Sequence, residues 1–404
     1  MKPMSLRSPF LSRRLLLVIL AGLTMVGPFS VDTYLPSFHD MAADLAVDEI
    51  LIQQTLSTYL FAFALMMLFY GTLTDTFGRR RIILIALTVY CLASLGAVFA
   101  PNLHSLLLLR ALQGMSAGAG VVVGRAIVRD LMSGVEAQRM LAHITMVFAI
   151  APAVAPLVGG WLQVEYGWRS VFIFLTLVGV LLWTVVYFRL PESLPPEARQ
   201  PLHLPTMLRN YAHALRNVQF LFLAFSLGLS FSGFALYVAS APNLIVKVLH
   251  LPETAFAWLF LPLVLGQIGG AWIASRMAHT ARPGDMVRRA YGLMFLSVLL
   301  NIAYNMGVAV PTVPWVTLPL MVYTLGSAML MPTITLRILD LFPRTRGLAA
   351  SLQSFIQTTL FATTAALAPI AFGSTLKLAF GLALCALFSG LSYLVAMRVR
   401  ARLS

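Results

Sequence analysis

Negative charge is scarce in this chain. Asp and Glu number 14 among 404 residues, and all charged residues together make up only 10%. A soluble domain usually carries about 25%, so a water-soluble globular fold is excluded. Cysteine is scarcer still. Cys91 and Cys385 both lie inside apolar runs, which excludes a disulfide framework. The seven histidines, from His39 to His279, show no metal-ligand spacing, so no metal site is expected. The alternating ten-residue segments of a membrane barrel are absent as well.

What fills the chain instead is apolar sequence, 59% hydrophobic overall. Runs near 20 residues recur along the whole length, each long enough to cross about 30 Å of hydrocarbon. Twelve spans are predicted, near 15–37, 51–72, 80–100, 104–124, 139–160, 169–188, 218–240, 254–275, 289–309, 313–335, 348–370 and 376–397. The expected fold class is therefore an all-α integral membrane protein. The N-terminal stretch mimics a signal peptide, but its apolar run is too long and ends at Asp32, Tyr34 and Pro36 without a small-residue cleavage site. Residues 189–217, rich in proline and polar residues, divide the spans six and six. Two six-helix bundles, 1–188 and 218–404, are expected on either side of this cytoplasmic linker. That plan suggests an internal repeat with a pseudo-two-fold and a substrate site at mid-membrane.

The net charge of +14 would suggest nucleic acid in a soluble protein. Its distribution says otherwise. Lys2, Arg7, Arg13 and Arg14 precede the first span, and Arg79, Arg80 and Arg81 follow the second. In all, 24 of the 28 basic residues fall on one face, Arg344 among them, while Arg169, Lys247 and Lys377 fall on the other. Both termini are thereby expected in the cytoplasm of a multi-pass protein, with the lipid bilayer as partner and no nucleic acid.

The remaining basic residue, Arg110, lies inside the fourth span, and Asp32 lies inside the first. Counted from the predicted span ends, each sits about six residues in, roughly 9 Å deep. Charge at that depth costs several kcal/mol and usually marks a transport pathway, so the two are expected to pair. A buried pair that only fixes packing is the alternative. The cavity would need apolar walls with a few polar groups. Its candidates are Tyr34, Tyr59, Gln113, Phe231, Phe234, Tyr237, Gln267, Gln353 and Gln357, the last two on one helical face.

Three stretches carry motifs. In "GTLTDTFGRRRIIL", Gly71 would permit close helix approach, Asp75 would accept bonds from arginines or a helix N-terminus, and Gly78 would allow a tight turn. In span 4, "LLLLRALQGMSAGAGVVVGR" places Gly114 and Gly118 on one face for close packing. In span 5, "IAPAVAPLVGGWL" sets Ala151, Ala155 and Gly159 in one stripe beside Gly160, with Pro152 and Pro156 adding kinks.

The first of these resembles the loop 2–3 signature of the major facilitator superfamily, G-x-L-x-D-R-x-G-R-R-x-x-L, at Gly71, Leu73, Asp75, Gly78, Arg79, Arg80 and Leu84. Thr76 replaces the usual basic residue. The second resembles the superfamily's R-x-x-x-G motif at Arg110 and Gly114. The third resembles its antiporter motif, G-x-x-x-G-P-x-x-G-G, at Pro156, Gly159 and Gly160. With "VDTYLP", "GRAIVRD", "GWRSVF" and "LPESLPPEARQP", residues 15 to about 205 are similar to the bicyclomycin/chloramphenicol resistance (Bcr/CflA) drug:proton antiporters. The second half matches mainly in span count and loop pattern.

The resemblance implies a major facilitator fold working by alternating access in the bacterial inner membrane. It implies a span 5 that packs on span 8, and export of small amphiphilic drugs such as phenicols or bicyclomycin. Asp32 would carry the proton and Arg110 would couple to it. No cofactor is implied, since the proton gradient supplies the energy, and the protein is expected to act as a monomer rather than as an enzyme. Three rivals stay open. One is an exporter of a metabolite such as an amino acid or nucleoside. Another is a facilitator without proton coupling, and the third is a polytopic membrane enzyme. The last would need a reactive cluster, whereas His104 and His143 stand alone.

Overall fold

The computed structural model describes residues 12–277, 282–343 and 345–403. Lys2, Arg7, His279 and Arg344 lie outside the described residues. Those residues contain no strand. The chain divides into two compact units, Met1–His203 and Leu204–Ser404.

The N-terminal unit holds α1 (Arg13–Asp32), α2 (Phe38–Asp44), α3 (Glu49–Phe77), α4 (Arg79–Val98), α5 (Leu103–Leu131), α6 (Gly134–Tyr166) and α7 (Arg169–Arg189). The C-terminal unit holds α8 (Leu204–Leu215), α9 (Val218–Pro242), α10 (Ala257–Met277), α11 (Pro283–Gly307), α12 (Leu318–Leu341), α13 (Arg346–Leu367) and α14 (Thr375–Leu403). Among the described residues, twelve helical stretches are long and apolar enough to span a bilayer. With no water to satisfy the backbone in hydrocarbon, such runs must close their hydrogen bonds internally, and the helix does so. Their ends are set by local chemistry. The Ser12 side chain accepts from the Leu15 N–H, and Asn102 with Ser105 forms a reciprocal capping box. Gly78 and Gly167 break the chain at φ of +96° and +75°, values that L side chains rarely adopt.

The two units repeat one packing scheme. In the first, α3 packs on α5, α4 on α5 and α7, and α1 on α5, α6 and α7. In the second, α10 packs on α12, α11 on α12 and α14, and α9 on α12, α13 and α14. Counted as spans, the pairs correspond one for one, so the repeat that sequence barely shows is plain in the packing.

Close approach falls at particular glycines. A Cβ on Gly114 would lie 2.1 Å from the Tyr59 carbonyl oxygen of α3, and one on Gly120 would lie 2.1 Å from that of Leu23 in α1. On Gly159 it would meet the Thr33 oxygen at 1.7 Å, with Ala151 and Ala155 buried on the same helix. Gly118 makes only ordinary contact. Gly71, expected to admit a neighbour, has none within 4 Å. The motif glycine there sits beside open space, so its small size is not used for packing. Helix α6 continues through both Pro152 and Pro156, and the buried Pro156 and Gly160 flank the contact with α1.

Residues 189–217, expected as a separate linker, are shared out. Arg189 ends α7. Leu190, Ser193 and Leu194 are buried against the N-terminal unit, and the Gln200 N–H donates to the Asp75 carbonyl at 3.1 Å. Helix α8 is amphipathic and buries Met207, Tyr211 and Ala214 in the C-terminal unit.

Gly159→Ala should unfold at a lower temperature in detergent, with an overpacking cost of about 1–3 kcal/mol. Gly71→Ala should match or slightly exceed the wild type, because alanine favours helix and nothing obstructs it.

Candidate functional site

Among the described residues, the buried charged side chains are Asp32, Arg79 and Arg110. All three lie in the N-terminal unit, and they define two places of interest.

The first surrounds Arg110, which is fully buried. Its Nη1 donates to Gln113 Oε1 at 2.7 Å and its Nη2 to the Ser30 carbonyl at 3.0 Å. The guanidinium lies over the rings of Tyr34, at 4.1 Å, and Tyr59, at 4.4 Å. The chain of bonds then closes on itself. Gln113 Nε2 donates to Ser94 Oγ at 2.7 Å, and Ser94 Oγ donates to the Tyr90 carbonyl at 2.7 Å. Tyr90 OH and Ser30 Oγ are 2.6 Å apart. Ser30 Oγ already donates to the Val26 carbonyl, so Tyr90 supplies the proton of that bond. The ring thus joins α1, α4 and α5. Tyr34 adds a 3.2 Å bond to Thr55 of α3.

The expected Asp32–Arg110 ion pair is not formed in this structure. No carboxylate among the described residues lies within bonding reach of Arg110, and cation–π contacts and neutral acceptors take its place. Asp32 itself is buried, at 4% exposure. The estimate of its depth also changes. Regular α1 stops at Asp32, but a 3-10 turn (Leu35–Ser37) and α2 carry the span on to Asp44, so Asp32 lies well inside it.

Of the residues expected to line a cavity, Tyr34, Tyr59 and Gln113 are brought together here: the Gln113 amide and the two ring faces are committed to Arg110, while the hydroxyls bond to Thr55 and to the Gly27 carbonyl. Phe231 and Phe234 form a separate cluster with Phe361 in the C-terminal unit, at centroid distances of 5.1–6.4 Å. Tyr237 is buried and accepts from Asn301 Nδ2 at 2.8 Å. Gln353 donates to Thr335 Oγ1 at 3.0 Å, while Gln267 and Gln357 are half-buried. Ser30, Tyr90, Ser94, Phe361 and Asn301 escaped the sequence reading. Isolated polar atoms inside apolar runs were the available signal for Tyr90, Ser94 and Asn301.

The second place is the α3–α4 junction. Nearly all of the loop motif is helical, and Gly78 alone breaks it. Arg79 donates through Nη1 to Asp75 at 2.5 Å and Thr74 at 2.7 Å, and through Nε to Asp130 of α5 at 3.1 Å. Arg80 donates to the Tyr187 carbonyl at 2.6 Å. Thr76, at the usual basic position, has its buried hydroxyl oxygen unbonded. The α4 N-terminus is capped from a distance. Glu192 accepts from the backbone N–H groups of Arg79 at 2.9 Å and Arg80 at 3.1 Å. A carboxylate there suits both the orphan donors and the helix dipole.

These geometries meet a clear family signal. Residues 20–366 match the Major Facilitator Superfamily. The chain belongs to that superfamily. The bicyclomycin resistance protein homolog of Haemophilus influenzae is 32% identical over 281 residues, covering 70% of this chain and 71% of that one. Multidrug resistance protein D of Escherichia coli is 29% identical over 348 residues, 85% of each chain. The resemblance to the Bcr/CflA group therefore stands. A solved peptide transporter in complex with alafosfalin superposes with a TM-score of 0.76 at 15% identity, over 95% of this chain and 94% of that chain, which shows the fold. The protein is a multi-pass membrane transporter and not an enzyme.

Removing the distant cap in Glu192→Ala should cost about 1 kcal/mol. It should also speed amide exchange at the first residues of α4. Glu197→Ala, an exposed change in the same stretch, should do neither.

Proposed function

We propose that this chain is a proton-coupled efflux transporter of the inner membrane, with both termini cytoplasmic, exporting small amphiphilic drugs by alternating access. One observation carries the reading: among the described residues, Asp32 is the sole buried carboxylate, and no basic side chain pairs with it. An acid in that position is a natural site for a proton, because neutralising it removes the cost of a buried charge.

Arg110 is linked to Asp32 through the backbone. Its Nη2 holds the Ser30 carbonyl, two residues before Asp32 on the same helix. Any shift of α1 against α5 alters that bond and the surroundings of Asp32 together. Proton binding and the conformational change are then reciprocally coupled. A single embedded acid near a single embedded arginine suits neutral or zwitterionic compounds such as phenicols better than multivalent cations. The names of the relatives, bicyclomycin and multidrug resistance proteins, support drug export. The arginine-rich face supports the orientation.

The test uses liposomes with a pH-sensitive dye inside and an imposed proton gradient. Chloramphenicol, florfenicol, bicyclomycin or a lipophilic cation is added in turn. Wild type should show drug-triggered proton flux, and Asp32→Asn should insert and fold but show none. Flux preserved in that variant would remove Asp32 from the mechanism. Flux triggered by an amino acid or nucleoside, and by none of the drugs, would make the protein a metabolite exporter.

A further inference from the structure

The arginine-rich end of the N-terminal unit carries a cavity that the transport mechanism does not use. Its volume is about 580 Å³. It is lined by residues 187–192, at and beyond the end of α7, and by Arg80 at the start of α4. That volume is within the range of small-molecule sites.

Its electrostatics are unbalanced. Arg80 and Arg189 face one carboxylate, Glu192. The Glu192 oxygens are occupied by the backbone N–H groups of Arg79, Arg80 and Leu194. Among the described residues, neither Arg80 nor Arg189 makes an ion pair. Arg80 donates through Nη2 to the Tyr187 carbonyl and lies over the Tyr187 ring at 5.4 Å, which leaves its Nη1 without a protein acceptor among the described residues. A guanidinium nitrogen that no protein group accepts from is free to donate to an anionic oxygen.

The flank of the cavity says what kind of partner. Leu177, Leu181 and Phe188 are 64%, 63% and 72% exposed and recur at helical spacing along one side of α7. Trp183 stacks on Tyr187 with centroids 5.0 Å apart, and its Nε1 donates to Thr88 Oγ1. An exposed apolar stripe that ends in aromatic rings and then arginines matches the passage from acyl chains to headgroups. A free anion would use the arginines but would leave the stripe without a purpose at this site.

We propose that this cavity binds an anionic phospholipid, with Arg80 and Arg189 on the phosphate and the acyl chains along Leu177, Leu181 and Phe188. The bound lipid would brace the start of α4, because Arg80 follows directly on Arg79, which Asp75 and Asp130 hold.

The test needs no transport, so it stands or falls apart from the efflux reading. The purified full-length protein in neutral detergent is titrated with phosphatidylglycerol, phosphatidylcholine or sodium phosphate. Thermal midpoint and apparent lipid affinity are read. Phosphatidylglycerol should protect more than phosphatidylcholine, and added salt should weaken the effect. Arg189→Gln, at an exposed position, should fold normally and bind phosphatidylglycerol roughly fivefold more weakly. Adding Arg80→Gln should weaken it further. Equal protection by the two lipids, or unchanged affinity in Arg189→Gln, would overturn the proposal. Protection by sodium phosphate alone as strong as that by phosphatidylglycerol would make this a free-anion site and overturn it as well.

Discussion

The guanidinium of Arg110 is the constraint around which the N-terminal unit is arranged. A full charge buried in a membrane helix must be surrounded by compensating groups, and removing one partner of such a charge typically costs about 3–5 kcal/mol. Here no carboxylate provides that compensation. Gln113 and the Ser30 carbonyl accept its protons, while Tyr34 and Tyr59 present their ring faces. A desolvated cation–π contact is worth about 2 kcal/mol. These partners come from α1, α3, α5 and the turn after α1, so the helices must lie close enough for all of them to reach one point. Gly114 against the Tyr59 carbonyl and Gly120 against the Leu23 carbonyl supply that closeness. The glycines of span 4 and its arginine are two parts of one requirement.

The C-terminal unit repeats the packing without the charge. Its buried polar links are neutral. Asn301 donates to Tyr237, and Tyr291, Ser226 and Ser389 share hydrogen bonds across α9, α11 and α14. Neutral links of this kind hold helices together at low cost and need no compensating ion. The repeat therefore fixes the scaffold, while among the described residues the buried charged side chains are confined to one copy of it, the nearest counterpart in the other being the part-buried Arg337 on Tyr393. The motifs that carry the resemblance to the drug antiporters lie in that first copy, although the match to the relatives, over 281 and 348 residues, extends into the second.

The spans were legible because hydropathy and length act along the chain, one helix at a time. The Asp32–Arg110 pairing was not, because depth along a helix leaves the direction of a side chain around it undetermined. Asp32 and Arg110 can share a level in the membrane and still point to different neighbours. The depth differs for a related reason: the sequence places the span end near residue 37, yet helical structure resumes at Phe38 and the span runs on to Asp44. Glu192 was hidden for another reason. It sits in a proline-rich stretch that reads as a tether, and its partners lie more than a hundred residues earlier. Gly71 and Gly114 both sit in motifs, but only the fold shows which one a neighbour approaches.

The α3–α4 junction shows how the chain manages without the usual basic residue at Thr76. Its hydroxyl is buried and unbonded, so it contributes neither charge nor a hydrogen bond. Arg79 alone spans the gap, bonding to Thr74 and Asp75 on α3 and to Asp130 on α5. Asp130 is tied in turn to Ser193, and Glu192 fixes the backbone at Arg79 and Arg80. Segments far apart in sequence thus converge on one arginine. A second cation at position 76 would have shared Asp75 between two arginines. With threonine there, the carboxylate is left to Arg79, and the stretch after α7 supplies the reinforcement. The consequence is mechanical: α3, α4, α5 and the chain leaving α7 are fastened at this end. Relative movement of these helices must therefore either preserve that cluster or break several charge-assisted bonds at once.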